Sequence, residues 1–281
     1  MEFNHIPVLL EECIDGLNIK QDGIYVDGTM GGAGHSLKIV EKLCCNGKLI
    51  GIDRDNEALN VAKQKLSTYN NVTYIHGNHD DIQKILEQLK INGVDGILLD
   101  LGVSSYQIDE RKRGFSYIKN STLDMRMDQT QTLDAKEIVN TYKEEELSRI
   151  IYEYGEEKFS RQIAKEICKQ RKKGVISTTF ELVDIIKQAL PYIDKNAGHP
   201  AKRTFQAIRI EVNDEIRPLY ETVIKSIQAL NEKGRLCIIT FHSLEDRAVK
   251  LAYQKASRKM YLSKRFTILC MWCKITWKSN K

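Results

Sequence analysis

Over the first hundred residues, short runs rich in β-branched side chains alternate with stretches in which apolar residues recur every three or four positions. Ile24–Asp27, Lys48–Asp53, Val72–His76 and Val94–Leu99 read as strands. Between them, Ser36–Leu43, Asn56–Leu66 and Asp80–Lys90 read as amphipathic helices; in the first, Leu37, Val40 and Leu43 share one face. Short apolar strands, each followed by a helix, predict a parallel sheet wound on both sides. Such sheets bind ligands at the carboxyl ends of their strands.

The strand pattern stops near Ile108 and does not return before Arg203. Helical patterns replace it at Asp134–Glu153, Lys158–Lys172 and Thr179–Leu190, punctuated by Gly155, Gly174 and the loop Ala197–Pro200. A span of that length does not stay structureless in a compact domain, so an inserted helical domain is expected over 108–203. Beyond it, Phe205, Ile208, Val212, Ile216, Leu219, Val223, Ile227 and Leu230 recur at spacings of three and four. They predict a long buried helical stripe, kinked or split at Pro218. Arg235–Phe241 reads as a fifth strand, with a helix from Leu244. The expected division is therefore a sheet domain from 1–107 and 204–257, the helical insertion, and an atypical basic tail at 258–281.

With 281 residues, 42% hydrophobic and 29% charged, the chain can bury a full core and has an ordinary soluble composition. No apolar run approaches the roughly 20 residues that span a bilayer, so no membrane partner is expected. The first residues carry acids where a secretory signal would carry basic residues. Seven scattered cysteines, an odd number, point to reduced thiols and a cytoplasmic setting. The formal charge of +5 hints at a polyanion partner, but its location removes the hint. Eight basic residues and no acid lie between Lys255 and Lys281, leaving the body slightly acidic. Both tryptophans fall in that tail too.

Chemistry concentrates where strands end. Asp27 closes the first strand and leads into Gly28-Thr-Met-Gly-Gly-Ala-Gly-His-Ser36, a glycine loop opening a helix. The dinucleotide fingerprint is out of register, which argues against a nicotinamide dehydrogenase. An acid before the loop suits a ligand with a cationic amino acid portion and no pyrophosphate, such as S-adenosylmethionine; a plain strand-to-helix turn is the structural alternative. Asp53 ends the second strand, where a carboxylate accepts both ribose hydroxyls of an adenosine, while Asp55 is the better helix cap. His76, His79, Asp80 and Asp81 lack the cysteines or distant third ligand of a metal site, so no metal is expected and His79 reads as a wall of the adenine pocket. Asp100 ends the fourth strand in Leu98-Leu-Asp-Leu-Gly-Val-Ser-Ser-Tyr-Gln107. There a carboxylate can orient an exocyclic amine at the departing methyl group, making Asp100 the candidate catalytic residue.

Several long motifs together resemble the bacterial RsmH (MraW) methyltransferases, over residues 5 to about 257. They are the two loops just quoted, His5-Ile-Pro-Val-Leu-Leu10, Arg113-Gly-Phe-Ser116, Leu123-Asp-Met-Arg-Met127, Lys202-Arg-Thr-Phe-Gln-Ala-Ile-Arg-Ile-Glu-Val-Asn213 and Phe241-His-Ser-Leu-Glu-Asp-Arg247. The resemblance implies a class I, Rossmann-like methyltransferase that methylates the 4-amino group of cytidine 1402 in 16S rRNA within the small ribosomal subunit. By motif it implies that Ala33, Gly34, His35, Asp53, His79, Asp100 and Gln107 contact S-adenosylmethionine, although the family usually carries phenylalanine at the His79 position. Arg113, Lys202 and Arg203, basic residues inside these motifs, are the candidate RNA contacts. A homodimer is one assembly this leaves open. The alternatives are a non-catalytic RNA-binding or assembly factor that keeps the fold, and a base amino-methyltransferase with another nucleic-acid target.

The tail departs from the family pattern. Nothing after Ser257 reads as the strand hairpin that should close the sheet. A one-base shift restores Cys-x-Cys motifs at family spacing within Lys259–Lys274. The expectation is therefore an out-of-frame tail, with the closing strands missing and the fifth strand left as an exposed edge. The alternative is a genuine divergent tail whose eight basic residues bind rRNA phosphates.

Overall fold

A computed structural model describes residues 7–192, 198–259 and 267–272. The chain folds as two compact units, one formed by the sheet on either side of the other, Val103–Glu215.

The sheet unit runs α1 (Leu10–Leu17), β1 (Ile24–Asp27), α2 (Gly34–Val40), β2 (Lys48–Asp53), α3 (Asn56–Lys65), β3 (Val72–His76), α4 (Ile82–Gln88) and β4 (Val94–Asp100). The helical unit contributes α5 (Ser105–Asp109), α6 (Ala135–Thr141), α7 (Glu144–Glu153), α8 (Ser160–Gln170), α9 (Thr179–Ala189) and α10 (Lys202–Asn213). The sheet resumes with α11 (Leu219–Gln228), β5 (Leu230–Thr240), α12 (Ser243–Lys259) and β6 (Thr267–Trp272). All pairings are parallel, in the order β3-β2-β1-β4-β5-β6, so strand direction of growth reverses between β1 and β4.

Side chains alternate between the two faces of this sheet, and both faces are covered. Val26, Ile50, Ile52, Ile97, Leu99, Leu236 and Ile238 pack against α4, α11 and α12. Tyr25, Leu49, Leu98, Cys237 and Ile239 pack against α1, α2 and α3. Burial on both sides explains why the strands read as near-continuous apolar runs rather than as alternating ones.

Four expectations change. The apolar stripe from Phe205 to Leu230 is split as Pro218 suggested, with Pro218 capping α11, but α10 ends earlier and the stripe does not stay helical to its end. Asp214 turns left-handed (φ 49°) and ends α10, and Leu230 already pairs with Val94 as the start of β5. Asp134–Glu153 is two helices, because the Lys143 N–H bonds the Glu146 carboxylate and starts a new one. The boundaries between units also move. The helical unit begins just after Gly102, and α10 belongs with it because it packs on α6 and α7.

The fourth change concerns the end of the sheet. β5 is not an exposed edge, since β6 pairs with it from Arg235↔Thr267 to Thr240↔Trp272. The run Thr-Ile-Leu-Cys-Met-Trp has the β-branched and apolar composition of a buried strand, whatever the origin of the tail. Beyond those six residues the out-of-frame reading falls outside the described residues. Among the described residues, no helix is long and apolar enough to cross a membrane.

Candidate active site at the carboxyl edge of the sheet

Three carboxyl groups, Asp27, Asp53 and Asp100, end β1, β2 and β4. A parallel sheet in which adjacent strands run in step brings their ends to one edge, and the glycine loop crosses that edge. Its Gly28 and Met30 N–H groups donate to the carbonyls of Leu98 and Ile52. Gly28 has no room for a side chain: a Cβ there would lie 2.5 Å from Leu99 Cδ2 and 3.1 Å from His79 Cβ.

Each acid has a different environment. Asp27 is 1% exposed, and its oxygens accept from the Ser36 hydroxyl (2.6 Å) and the Thr29 N–H (3.2 Å). Burial pushes its pKa up to about 6 against those hydrogen bonds. Asp27 therefore fastens the loop to α2, and does not present itself to a ligand as the sequence suggested. Asp53 accepts one backbone N–H on each oxygen, Gly31 at 2.6 Å and Asp55 at 2.8 Å. Its pKa too is raised by burial, to about 6. Each oxygen keeps a lone pair, so ribose hydroxyls can still be accepted. Asp55 caps α3 through the Glu57 N–H, as expected.

Asp100 is the unsatisfied one. Its backbone N–H donates to the Thr29 hydroxyl (2.6 Å), but Oδ1 is buried with no hydrogen-bond partner among the described residues. Oδ2 lies 3.7 Å from His35 Nδ1. Burial, then the negative charges of Asp27 and Glu245, push its pKa up to about 8. A buried, unpartnered carboxyl oxygen costs roughly 1–3 kcal/mol or more, so a fold that keeps one has a reason outside its own stability.

The loop residues carried by resemblance act mainly through shape. Ala33 is buried in the core, its N–H bonded to Met30 and its carbonyl to Leu37, so its side chain does not face a ligand; it supplies the left-handed turn (φ 56°) that starts α2. A Cβ on Gly34 would fall 2.3 Å from Pro7 Cγ, so the chain ahead of α1 closes over the loop. His35 is buried, with Nε2 3.1 Å from the Val8 carbonyl, and burial lowers its pKa. His79 begins a short 3-10 turn beside Gly28, and burial lowers its pKa to about 4, leaving a neutral ring. Gln107 lies in the helical unit, where its side chain and that of Ser104 form the capping box of α5.

The basic candidates divide. Arg113 is 3% exposed and donates to the carbonyls of Arg126 and Met127 (2.9 Å each). Asn213 bonds the same segment at Met125 and Met127. The two side chains pin an inward-turned loop, so Arg113 is not a surface contact for phosphate: it is buried, and one guanidinium nitrogen holds two backbone carbonyls. Lys202 and Arg203, at the start of α10, are exposed.

Sequence reasoning missed Glu245, which is 1% exposed and accepts from the Phe241 and His242 N–H groups at the tip of β5. Its position as the third residue of α12, where a carboxylate can accept from the N–H groups just ahead of the helix, was the available signal.

The strand order and the acid-tipped edge define a Rossmann-like α/β protein built to receive a nucleoside-bearing ligand at the β1/β4 switch point. The chain belongs to the MraW methylase family, whose profile matches residues 2–278. A Clostridium botulinum protein (strain Kyoto, type A2) named ribosomal RNA small subunit methyltransferase H is 57% identical over 258 residues, covering 92% of this chain and 84% of that one. The protein of the same name from the Okra strain is 55% identical over the same shares.

Proposed function

We propose that this chain transfers a methyl group from S-adenosylmethionine to the exocyclic 4-amino group of cytidine 1402 in 16S rRNA of the small ribosomal subunit. The observation that carries the reading is the orphaned Asp100 oxygen at the β4 tip, beside the ends of β1 and β2. The residues present fit the methyl donor. Asp53 has lone pairs for the ribose hydroxyls, and His79 offers a neutral ring beside the loop. S-adenosylmethionine, when bound, supplies a methyl group on a positively charged sulfur.

The chain's own contribution is placement. The lone pair of an aromatic amine is delocalised into its ring, so the nitrogen is a poor nucleophile and must be held in line. Asp100, ionised, accepts an amine N–H and favours the tetrahedral nitrogen that attacks. The target base has to be unstacked to reach a strand tip. Lys202 and Arg203 meet RNA phosphates, a contact that weakens as salt rises.

The test is methyl mapping by mass spectrometry of 16S rRNA from cells that lack this gene and then regain it. One methyl group at cytidine 1402 should disappear and return. An unchanged nucleoside there, with the protein expressed, refutes the target. Incubation of the purified chain with labelled S-adenosylmethionine and unmethylated small subunits separates turnover from a purely structural role in assembly.

A further inference from the structure

The environment of Asp100 contains more than a catalytic anchor requires, beginning with the tautomer of His35. A backbone carbonyl can only accept, so His35 Nε2, 3.1 Å from Val8 O, carries the hydrogen. In a neutral ring Nδ1 then holds a lone pair, and Nδ1 is the atom 3.7 Å from Asp100 Oδ2. Lone pair faces lone pair unless one side carries a proton. The ring itself is a poor place for it, because burial lowers its pKa.

No other neighbour compensates a charge on Asp100. From β1 it faces Asp27, and from α12 Glu245, both acids. From α1 it faces the Cys13 thiol, which burial and neighbouring negative charge keep protonated. From the glycine loop Thr29 offers a hydroxyl oxygen that already accepts from the Asp100 backbone. Among the described residues that act on Asp100, none is a cation.

We propose that Asp100 holds a proton in the ligand-free protein and gives it up when a cationic sulfonium ligand enters, so that the site tells the charged methyl donor from the neutral thioether left after transfer. The inference rests on the functional reading above and adds to it a means of discriminating substrate from spent product. Burial and two like charges already hold the group near 8, so it is largely protonated at neutral pH. A sulfonium supplies the positive charge the pocket lacks and stabilises the carboxylate. A thioether carries no charge and leaves the proton in place. Ionised Asp100 is also the form that accepts a hydrogen bond from the amine, so the acceptor is switched on by the donor that needs it.

The two ligands share the adenosine and amino acid portions, so protons exchanged by those portions cancel between them. Calorimetric titration of the full chain with S-adenosylmethionine and with S-adenosylhomocysteine, at pH 7 in buffers of different ionisation heat, counts protons released. The methyl donor should release close to one proton more than the thioether. Its affinity advantage should grow by up to about tenfold per pH unit from pH 6 to 7 and level off above pH 8. Asp100→Asn should abolish the difference in proton count, with its fold checked by thermal melting. Glu245→Gln removes one repelling charge and should move the levelling-off to lower pH, which keeps a second route if the first variant does not fold. Equal proton counts for both ligands in the wild-type protein overturn the inference and leave the functional reading standing. Failure of either ligand to bind overturns both.

Discussion

Among single residues, Asp53 and Asp100 are expected to trade stability for binding. A carboxyl whose pKa is raised on folding binds more protons folded than unfolded. Its favourable contribution is complete below its ordinary value, near 3.8, and is lost as pH rises through the folded value, about 8 for Asp100. Asp100→Asn should therefore stabilise the ligand-free protein at pH 8 by about 2 kcal/mol, discounted for partial solvent screening, with little gain at pH 4. Urea unfolding at the two pH values reads this; equal gains at both would mean Asp100 is not strained by its charge. Asp53→Ala should weaken S-adenosylmethionine binding by roughly 1.5–3 kcal/mol through lost charge-assisted bonds, and an unchanged calorimetric Kd would remove it from the ribose site. Asp53 and Asp100 were legible in sequence because an acid at the end of an apolar strand is conspicuous. Arg113 was not, since it stands in the run Arg111-Lys-Arg113, whose first two residues are exposed, and only the third turns inward.

At the level of elements, β1 to β4 follow their sequence pattern closely. β1, β2 and β4 do so because strands buried on both faces announce themselves, and the edge strand β3 through its β-branched Val72, Thr73 and Ile75. α1 escaped notice: it is a short helix of eight residues between left-handed Leu9 and Asn18. The start of β5 was disguised because Leu230 continued a helical spacing, whereas the register jump from Val94↔Leu230 to Gly96↔Arg235 loops out the residues between. The glycine loop is held by close packing against β4. Gly28→Ala would drive a methyl group into fully buried Leu99, costing roughly 1–3 kcal/mol and lowering methyl-donor affinity as the loop shifts. Thermal melting with and without ligand checks both parts; a variant with wild-type melting and affinity would show the loop can give way.

For the whole molecule, β6 is the structural surprise, since composition alone marked everything near it as foreign. Truncation after Lys259 removes the strand that covers β5. The shortened chain should lose stability and aggregate at concentrations the full chain tolerates, measured by light scattering during urea refolding. A truncated chain as stable and as monodisperse as the parent would show that β6 contributes nothing to the sheet. β4 and β5 are neighbours in space, yet the entire helical unit, Val103–Glu215, separates them along the chain. A ribosome delivers β4 long before its partner exists. The nascent sheet must wait, one side open, while a helical unit with its own local contacts folds behind it. Pulse-labelled hydrogen exchange during synthesis should find α6 to α9 protected before β4, making this the vulnerable interval in which chaperones are needed.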